Sequence, residues 1–171
     1  QQNLGKGGAL KKGIEFSKNQ WVLTSDIDFS VSLFELENWQ KKKYISNSND
    51  VYFGSRSHNS SNVNSKFYRK IIGAILRIFI SFFLGIKISD TQCGFKLYKK
   101  KIAKKLFSNL KFFGYEHDIE IVLILKKNNV SIKELPVTWT HVNNSKINIV
   151  TDSIKIFYKL FYMKFKYLFI N

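Results

Sequence analysis

Two aspartates separated by one residue, Asp26 and Asp28 in "VLTSDID", directly follow an apolar run that begins at Trp21. Carboxylates so spaced, where a chain leaves a sheet, reach a common site. Hard divalent cations such as Mg2+ or Mn2+ take oxygen ligands of this kind together with the phosphates of a substrate. Solvated or helix-capping aspartates have the same appearance. Upstream, "NLGKGGALKKGI" sets Lys6 among Gly5, Gly7 and Gly8, ahead of a predicted helix. Glycines let backbone N–H groups approach an anion and a lysine adds a point charge, although the spacing is not that of a Walker loop. A second acidic group, Asp118 and Glu120 in "EHDIE", falls at a helix start, where carboxylates also favour the positive end of the dipole. A third, "SDTQCGFKLY", places Asp90, Gln92 and Gly94 in a polar turn between a long apolar run and a basic helix. His58, His117 and His141 show no metal-ligand spacing to one another.

The elements that must position these residues alternate. Trp21 to Thr24 reads as a short buried strand, "VYFGSR" as a second, "GFKLY" as a third and "SIKELPVTW" as a fourth, with Pro136 near its end or edge. "FELENWQKKK", residues 66–85, "KKKIAKKLF" and "EHDIEIVLILKKNN" read as helices, and the tail from Thr151 as another. Ser55 to Lys66, rich in Ser and Asn, reads as a loop. Alternation of this kind predicts an α/β class with a mostly parallel sheet flanked by helices, its ligands at the carboxyl ends of strands. The organisation expected is one domain over residues 1–150 and a basic amphipathic helix over residues 151–171.

With 28 Lys and Arg against 12 Asp and Glu, a formal net charge of +16 draws the chain to anions, whether nucleic acid, phospholipid or phosphorylated substrate. The single cysteine, Cys93, excludes an internal disulfide and any multi-cysteine metal site, and no secretory pattern opens the sequence. The apolar run "IIGAILRIFISFFLGI" falls short of the about 20 residues that span a bilayer, and Arg77 interrupts it. The tail interleaves Lys155, Lys159, Lys164 and Lys166 with Phe, Tyr, Leu and Ile. Both segments suit helices lying in a membrane interface, with lysines reaching anionic headgroups. Core packing for the first and a partner-bound helix for the second are the competing readings. A nucleic-acid-binding module would use the same aromatics and lysines to stack bases, but it leaves "TSDID", "DTQCGF" and "EHDIE" without a role.

Taken in order, "NLGKGGALKKGI", "VLTSDID", "FGSR", "ISDTQCGFKLY", "EHDIEI" and "IKELPVTWTHVNNSKI" make the sequence resemble the family 2 glycosyltransferases of GT-A fold. Within that family it is similar to the branch that glycosylates dolichyl and other polyprenyl phosphates. The resemblance spans Asn3 to Ile147 and implies an inverting hexosyltransferase, glucose foremost, working at the cytoplasmic face of a membrane as a peripheral protein. The implied donor is a nucleotide sugar, UDP-glucose favoured, and the implied acceptor a polyprenyl phosphate; no nucleic acid is expected. Asp28, with Asp26 toward the nucleotide, would hold Mg2+ or Mn2+, and Lys6 and Gly7 would assist at the donor. Asp118 would act as a base or sugar-binding group. Asp90 and Gln92 would line the acceptor side, with Arg56, Arg69, Ser145 and Lys146 toward the acceptor phosphate. Two departures stand out: the family's opening strand and base-embracing segment are not in this sequence, which makes it N-terminally incomplete or an inactive fragment, and Ile27 occupies the position between the aspartates where the family has a small residue.

Overall fold

The computed structural model describes residues 3–64, 67–114, 116–141 and 158–169. In chain order the elements are α1 (Gly5–Glu15), β1 (Trp21–Thr24), α2 (Phe34–Lys41), β2 (Val51–Ser55), β3 (Asn62–Asn64), α3 (Phe67–Leu84), β4 (Lys96–Lys99), α4 (Lys100–Ser108), α5 (His117–Lys127), β5 (Lys133–Pro136) and β6 (Thr138–Thr140). A last helix, α6, covers residues 158–164 and closes in a π-helical turn, Phe165–Phe169.

Four strands form the main sheet in the order β1-β4-β2-β5. Side chains alternate across it, as the two-residue period of a strand requires. Val51, Phe53 and Tyr98 point into one apolar cluster, built with α1, α3, α4, α5 and α6, while Tyr52, Phe95 and Leu97 point into the other, built with Trp39 of α2. Both faces are therefore covered, which is why the strands read as nearly continuous apolar runs. Helix α5 is buried from His117 to Leu125 and runs through the larger cluster, and α4 buries Ala103, Leu106 and Phe107 on one stripe.

The expected mostly parallel sheet has three of its four strands running the same way and needs one correction, at β4. β2 pairs with β5 in parallel, but β4 is inserted between β1 and β2 and runs antiparallel to both. The reason lies in the connection: α3 returns the chain to the sheet edge at which β1 and β2 end, so the next strand must run back from that edge. Three carboxyl ends and the entry of β4 thus share one edge, with Thr24 and Phe53 both opposite Lys96 and Ser55 opposite Pro136. A second correction concerns the Ser- and Asn-rich loop, where Asn62–Asn64 forms β3 and pairs in parallel with β6. A third is that α1 begins at Gly5, so the glycines expected ahead of the helix lie in its first turns. The boundary expected between residues 150 and 151 lies outside the described residues. Helix α6 packs on the larger cluster through Leu160 and Met163.

Candidate active site

The shared edge collects most of the charged residues singled out by the sequence. Beyond β1 the chain makes a tight turn in which the Phe29 N–H donates to the Asp26 carbonyl at 3.1 Å. Phe29 takes a left-handed φ of 50°, a conformation that costs a side-chain-bearing residue on the order of 1 kcal/mol. That turn separates the two aspartates. Asp26 points inward, where Lys6 Nζ lies 2.6 Å from its Oδ1. Asp28 stands exposed, its Oδ1 accepting from the Ser30 N–H at 3.0 Å and the Ser30 hydroxyl at 2.7 Å. Among the described residues the second oxygen of Asp28 carries no hydrogen bond or ion pair.

Gly94 is what admits the Asp26 carboxylate. A Cβ at that position would sit 2.3 Å from Asp26 Oδ2. The polar turn before β4 thus forms the floor under the first aspartate, and the strand it leads into carries the next charge. Lys96, 1% exposed, ion-pairs with Asp118, which also lies 3.7 Å from Lys6. Burial alone would raise the Asp118 pKa, but the Lys96 ammonium, with His117 and Lys6, holds it below the usual carboxylate value. Lys6 behaves conversely: burial opposes its charge, yet Asp118 and Asp26 raise its pKa. His117 Nδ1 lies 2.6 Å from the Gly114 carbonyl, and burial lowers the imidazole pKa despite Asp118. It is neutral near pH 7, with Nδ1–H donating to Gly114.

A second cluster sits on the same turn. Asp90, 0% exposed, accepts from Arg56 Nε at 2.7 Å, Arg56 Nη2 at 2.9 Å, the Arg56 N–H at 2.9 Å and the Gln92 N–H at 3.2 Å. This fork-to-fork pair lowers the Asp90 pKa against the effect of burial and raises that of Arg56. Glu134 of β5 secures the turn from below, accepting from the Ser89 N–H, the Ser89 hydroxyl and the Asp90 N–H. Between the clusters, Cys93 is buried and its thiol is pushed up to about 11 by desolvation, so it is inert packing.

The sequence-predicted residues therefore divide. Lys6, Asp26 and Asp118 come together at one end of the edge, Asp28 stands exposed beyond the turn that follows Asp26, and Arg56, Asp90 and Gln92 gather at the other end. Gly7 does not present its N–H to the site, because that group donates to the Phe113 carbonyl at 2.8 Å, tying α1 to the 111–114 loop. The side chain of Arg69, and Ser145 and Lys146 entirely, lie outside the described residues. Sequence reasoning missed Lys96 and Glu134. Lys96 was signalled by a charge inside a short apolar strand, "GFKLY", a place where only a paired charge is tolerated, whereas the half-buried Glu134 beside Lys133 in "KELP" carried no such signal.

Glycosyl transferase family 2 is the family model that matches, over residues 1–107, more than half of the chain. The chain belongs to this family. Among its curated relatives it is 33% identical to the dolichyl-phosphate beta-glucosyltransferase of Dictyostelium discoideum, over 98% of this chain and 53% of that protein. It is 32% identical to that of Saccharomyces cerevisiae, over 98% and 54%. The chain thus spans about half the length of these relatives. Solved glycosyltransferases share its fold: glucosyl-3-phosphoglycerate synthase of Mycobacterium tuberculosis, in complex with Mn2+ and uridine-diphosphate-glucose, superposes with a TM-score of 0.64 at 14% identity, covering 93% of this chain and 54% of that one. Mannosyl-3-phosphoglycerate synthase of Rubrobacter xylanophilus follows at a TM-score of 0.52 and 15% identity, over 95% and 51%. The α/β architecture is accordingly the GT-A fold of these glycosyltransferases.

A divalent cation fits what the family 2 chain offers. Among the described residues no group of three or more His, Cys, Asp and Glu converges, so there is no all-protein cage. A cation that keeps its waters and shares substrate phosphates needs only one or two carboxylates. Asp28, exposed and with one oxygen free among the described residues, is suited to that, and Asp26 is already neutralised by Lys6.

Proposed function

We propose that the protein transfers a hexose, glucose in the first instance, from a nucleoside-diphosphate donor to a polyprenyl phosphate at the cytoplasmic surface of a membrane, with inversion at the anomeric carbon. The observation that carries this reading is an exposed Asp28, one carboxylate oxygen unbonded among the described residues, just past the strand end whose Asp26 is ion-paired with Lys6. The names of the relatives support glucose and dolichyl phosphate.

In this reading Asp28 holds Mg2+ or Mn2+, which when bound neutralises charge on the departing diphosphate. Lys6, kept protonated by Asp26 and Asp118, adds fixed positive charge at the donor. Asp118, ionised and saturated by lysines, orients those cations and is a poor proton acceptor, so its role is electrostatic. Little is lost by that: a phosphate monoester, with a second pKa near ~6, is largely ionised at neutral pH and needs no strong base. Asp90 and Gln92 shape the wall on the acceptor side, with Asp90 acting through Arg56. Arg69, Ser145 and Lys146 are assigned to the acceptor phosphate by resemblance.

A lipid acceptor needs a surface to be met on. Helix α3 keeps Ile71, Ile75, Ile78 and Phe82 exposed along one stripe, and α6 exposes Tyr158, Tyr162 and Phe165. Lys164 and Lys166 accompany α6, with Lys164 Nζ 4.3 Å from the Phe83 ring centre. No described helix is long and apolar enough to cross a membrane. We read these stripes as interfacial, with each basic residue near an anionic surface adding on the order of 1 kcal/mol. The test is incubation of the purified protein with labelled UDP-glucose, Mg2+ or Mn2+ and polyprenyl phosphate. Lipid-extractable label that requires all three is the expected result, and label that appears equally without the polyprenyl phosphate would contradict the reading.

A further inference from the structure

The fork of Arg56 is closed on Asp90, which leaves the acceptor side short of a free cation. One lies across the turn. A cleft of about 720 Å³ opens between α3 and residues 85–89, with Ser57, Ala74, Arg77, Ile78, Phe82 and Ser89 on its wall. It adjoins the Arg56–Asp90 pair through Ser57 and Ser89, the neighbours in sequence of those two residues. Its space comes from small residues on α3: Ala74 lines it, and the Arg77 guanidinium folds back over Gly73, where a Cβ would sit 3.1 Å from Nη1. Arg77 Nε is buried with no hydrogen-bond partner. Among the described residues the Arg77 guanidinium makes no ion pair. The carboxylate whose field reaches it, Asp90, is already bound by Arg56. A guanidinium that stays charged, half-buried at the head of an apolar cleft and without a counter-ion, calls for an anion that arrives with an apolar body. Phosphate on a guanidinium fork, with an isoprenoid chain on Ile78 and Phe82, satisfies both halves of the cleft.

We propose that this cleft seats the head of the acceptor, with Arg77 pairing with the phosphate of the polyprenyl phosphate and the Ile78–Phe82 stripe carrying its first isoprene units. The assignment rests on the acceptor named above and adds a specificity-determining residue that neither Arg56 nor the donor cluster supplies.

The experiment uses the purified protein and neutral phosphatidylcholine vesicles that contain either polyprenyl phosphate or phosphatidylserine at matched surface charge. Arg77→Gln is expected to weaken retention on polyprenyl phosphate vesicles by about tenfold or more, the loss of a charged hydrogen-bonding pair. It should leave retention on phosphatidylserine vesicles unchanged. The same variant should raise KM for polyprenyl phosphate and leave KM for the nucleotide sugar alone. Ala74→Phe, which fills the cleft and keeps the charge, should reproduce the loss, and circular dichroism of both variants checks that they fold. Folded variants that retain polyprenyl phosphate as the parent does would overturn the Arg77 assignment while leaving the transferase reading intact. Equal weakening on both vesicle types would reduce Arg77 to general surface charge and overturn it as well. A parent protein that does not distinguish polyprenyl phosphate vesicles from plain ones would refute the acceptor itself, and this proposal with it.

Discussion

Asp26 and Asp28 look equivalent in sequence and differ in three dimensions. The left-handed Phe29 closes the turn that separates them, so that Asp26 is locked to Lys6 over Gly94 while Asp28 remains outside. Gly94→Ala is therefore a sharp probe. Its methyl group would occupy the space of the Asp26 carboxylate, the movable end of a side chain, so the carboxylate swings away and the ion pair opens. We expect the melting temperature to change by less than about 3 °C, since the pair is partly exposed. Transfer should fall by about tenfold or more as Lys6 loses its anchor; steady-state kinetics beside thermal melts will show both. The pairing of Lys6 with Asp26 was not legible from the sequence, because residues twenty apart meet only through the α1–β1 connection. The candidacy of the two aspartates was legible, because a strand end is a local feature. Asp90 illustrates the opposite case: its polar turn invited a catalytic role, yet four donors saturate the carboxylate and make it an anchor for Arg56.

At the scale of elements, the strands and long helices follow from short-range pattern, and the four strands and four internal helices expected all appear where periodicity places them. What periodicity leaves out is pairing. The antiparallel insertion of β4 depends on which edge α3 returns to, and the β3–β6 pair depends on Asn62–Asn64 meeting a segment over seventy residues away. Helix α5 carries a pH dependence that follows from its burial. His117 has a folded pKa below its ordinary value of about 6.5, so the unfolded chain binds the proton more tightly, and stability present above pH 6.5 is lost as the pH falls toward the folded value. Asp90 and Asp118 also have depressed folded values, and their contribution is full above about pH 4 and disappears below it. Urea unfolding should therefore show two falling steps on acidification. His117→Gln is expected to remove the upper step and keep the lower. A slope between pH 6.5 and 5 that survives the substitution would mean that another group carries it.

For the whole molecule, composition announced an affinity for anions and did not say which. The distribution of side chains favours a membrane surface in our reading: exposed apolar stripes run along α3 and α6. Association with vesicles containing anionic lipid should weaken as salt rises, as screened interfacial charge requires. Ile75→Asp, at a position 62% exposed, should reduce it by about tenfold or more without altering the melt. Binding that is indifferent to both changes would detach the chain from the membrane surface. Everything else depends on the exposed carboxylate of Asp28 beyond the end of β1, whose second oxygen is unbonded among the described residues. The most direct measurement is the rate of glucose transfer from UDP-glucose to polyprenyl phosphate by Asp28→Asn beside the parent protein, at equal folded concentration and saturating divalent cation. We expect a loss of about a hundredfold or more, the scale of removing a group that stabilises developing charge. An unchanged rate would contradict the account.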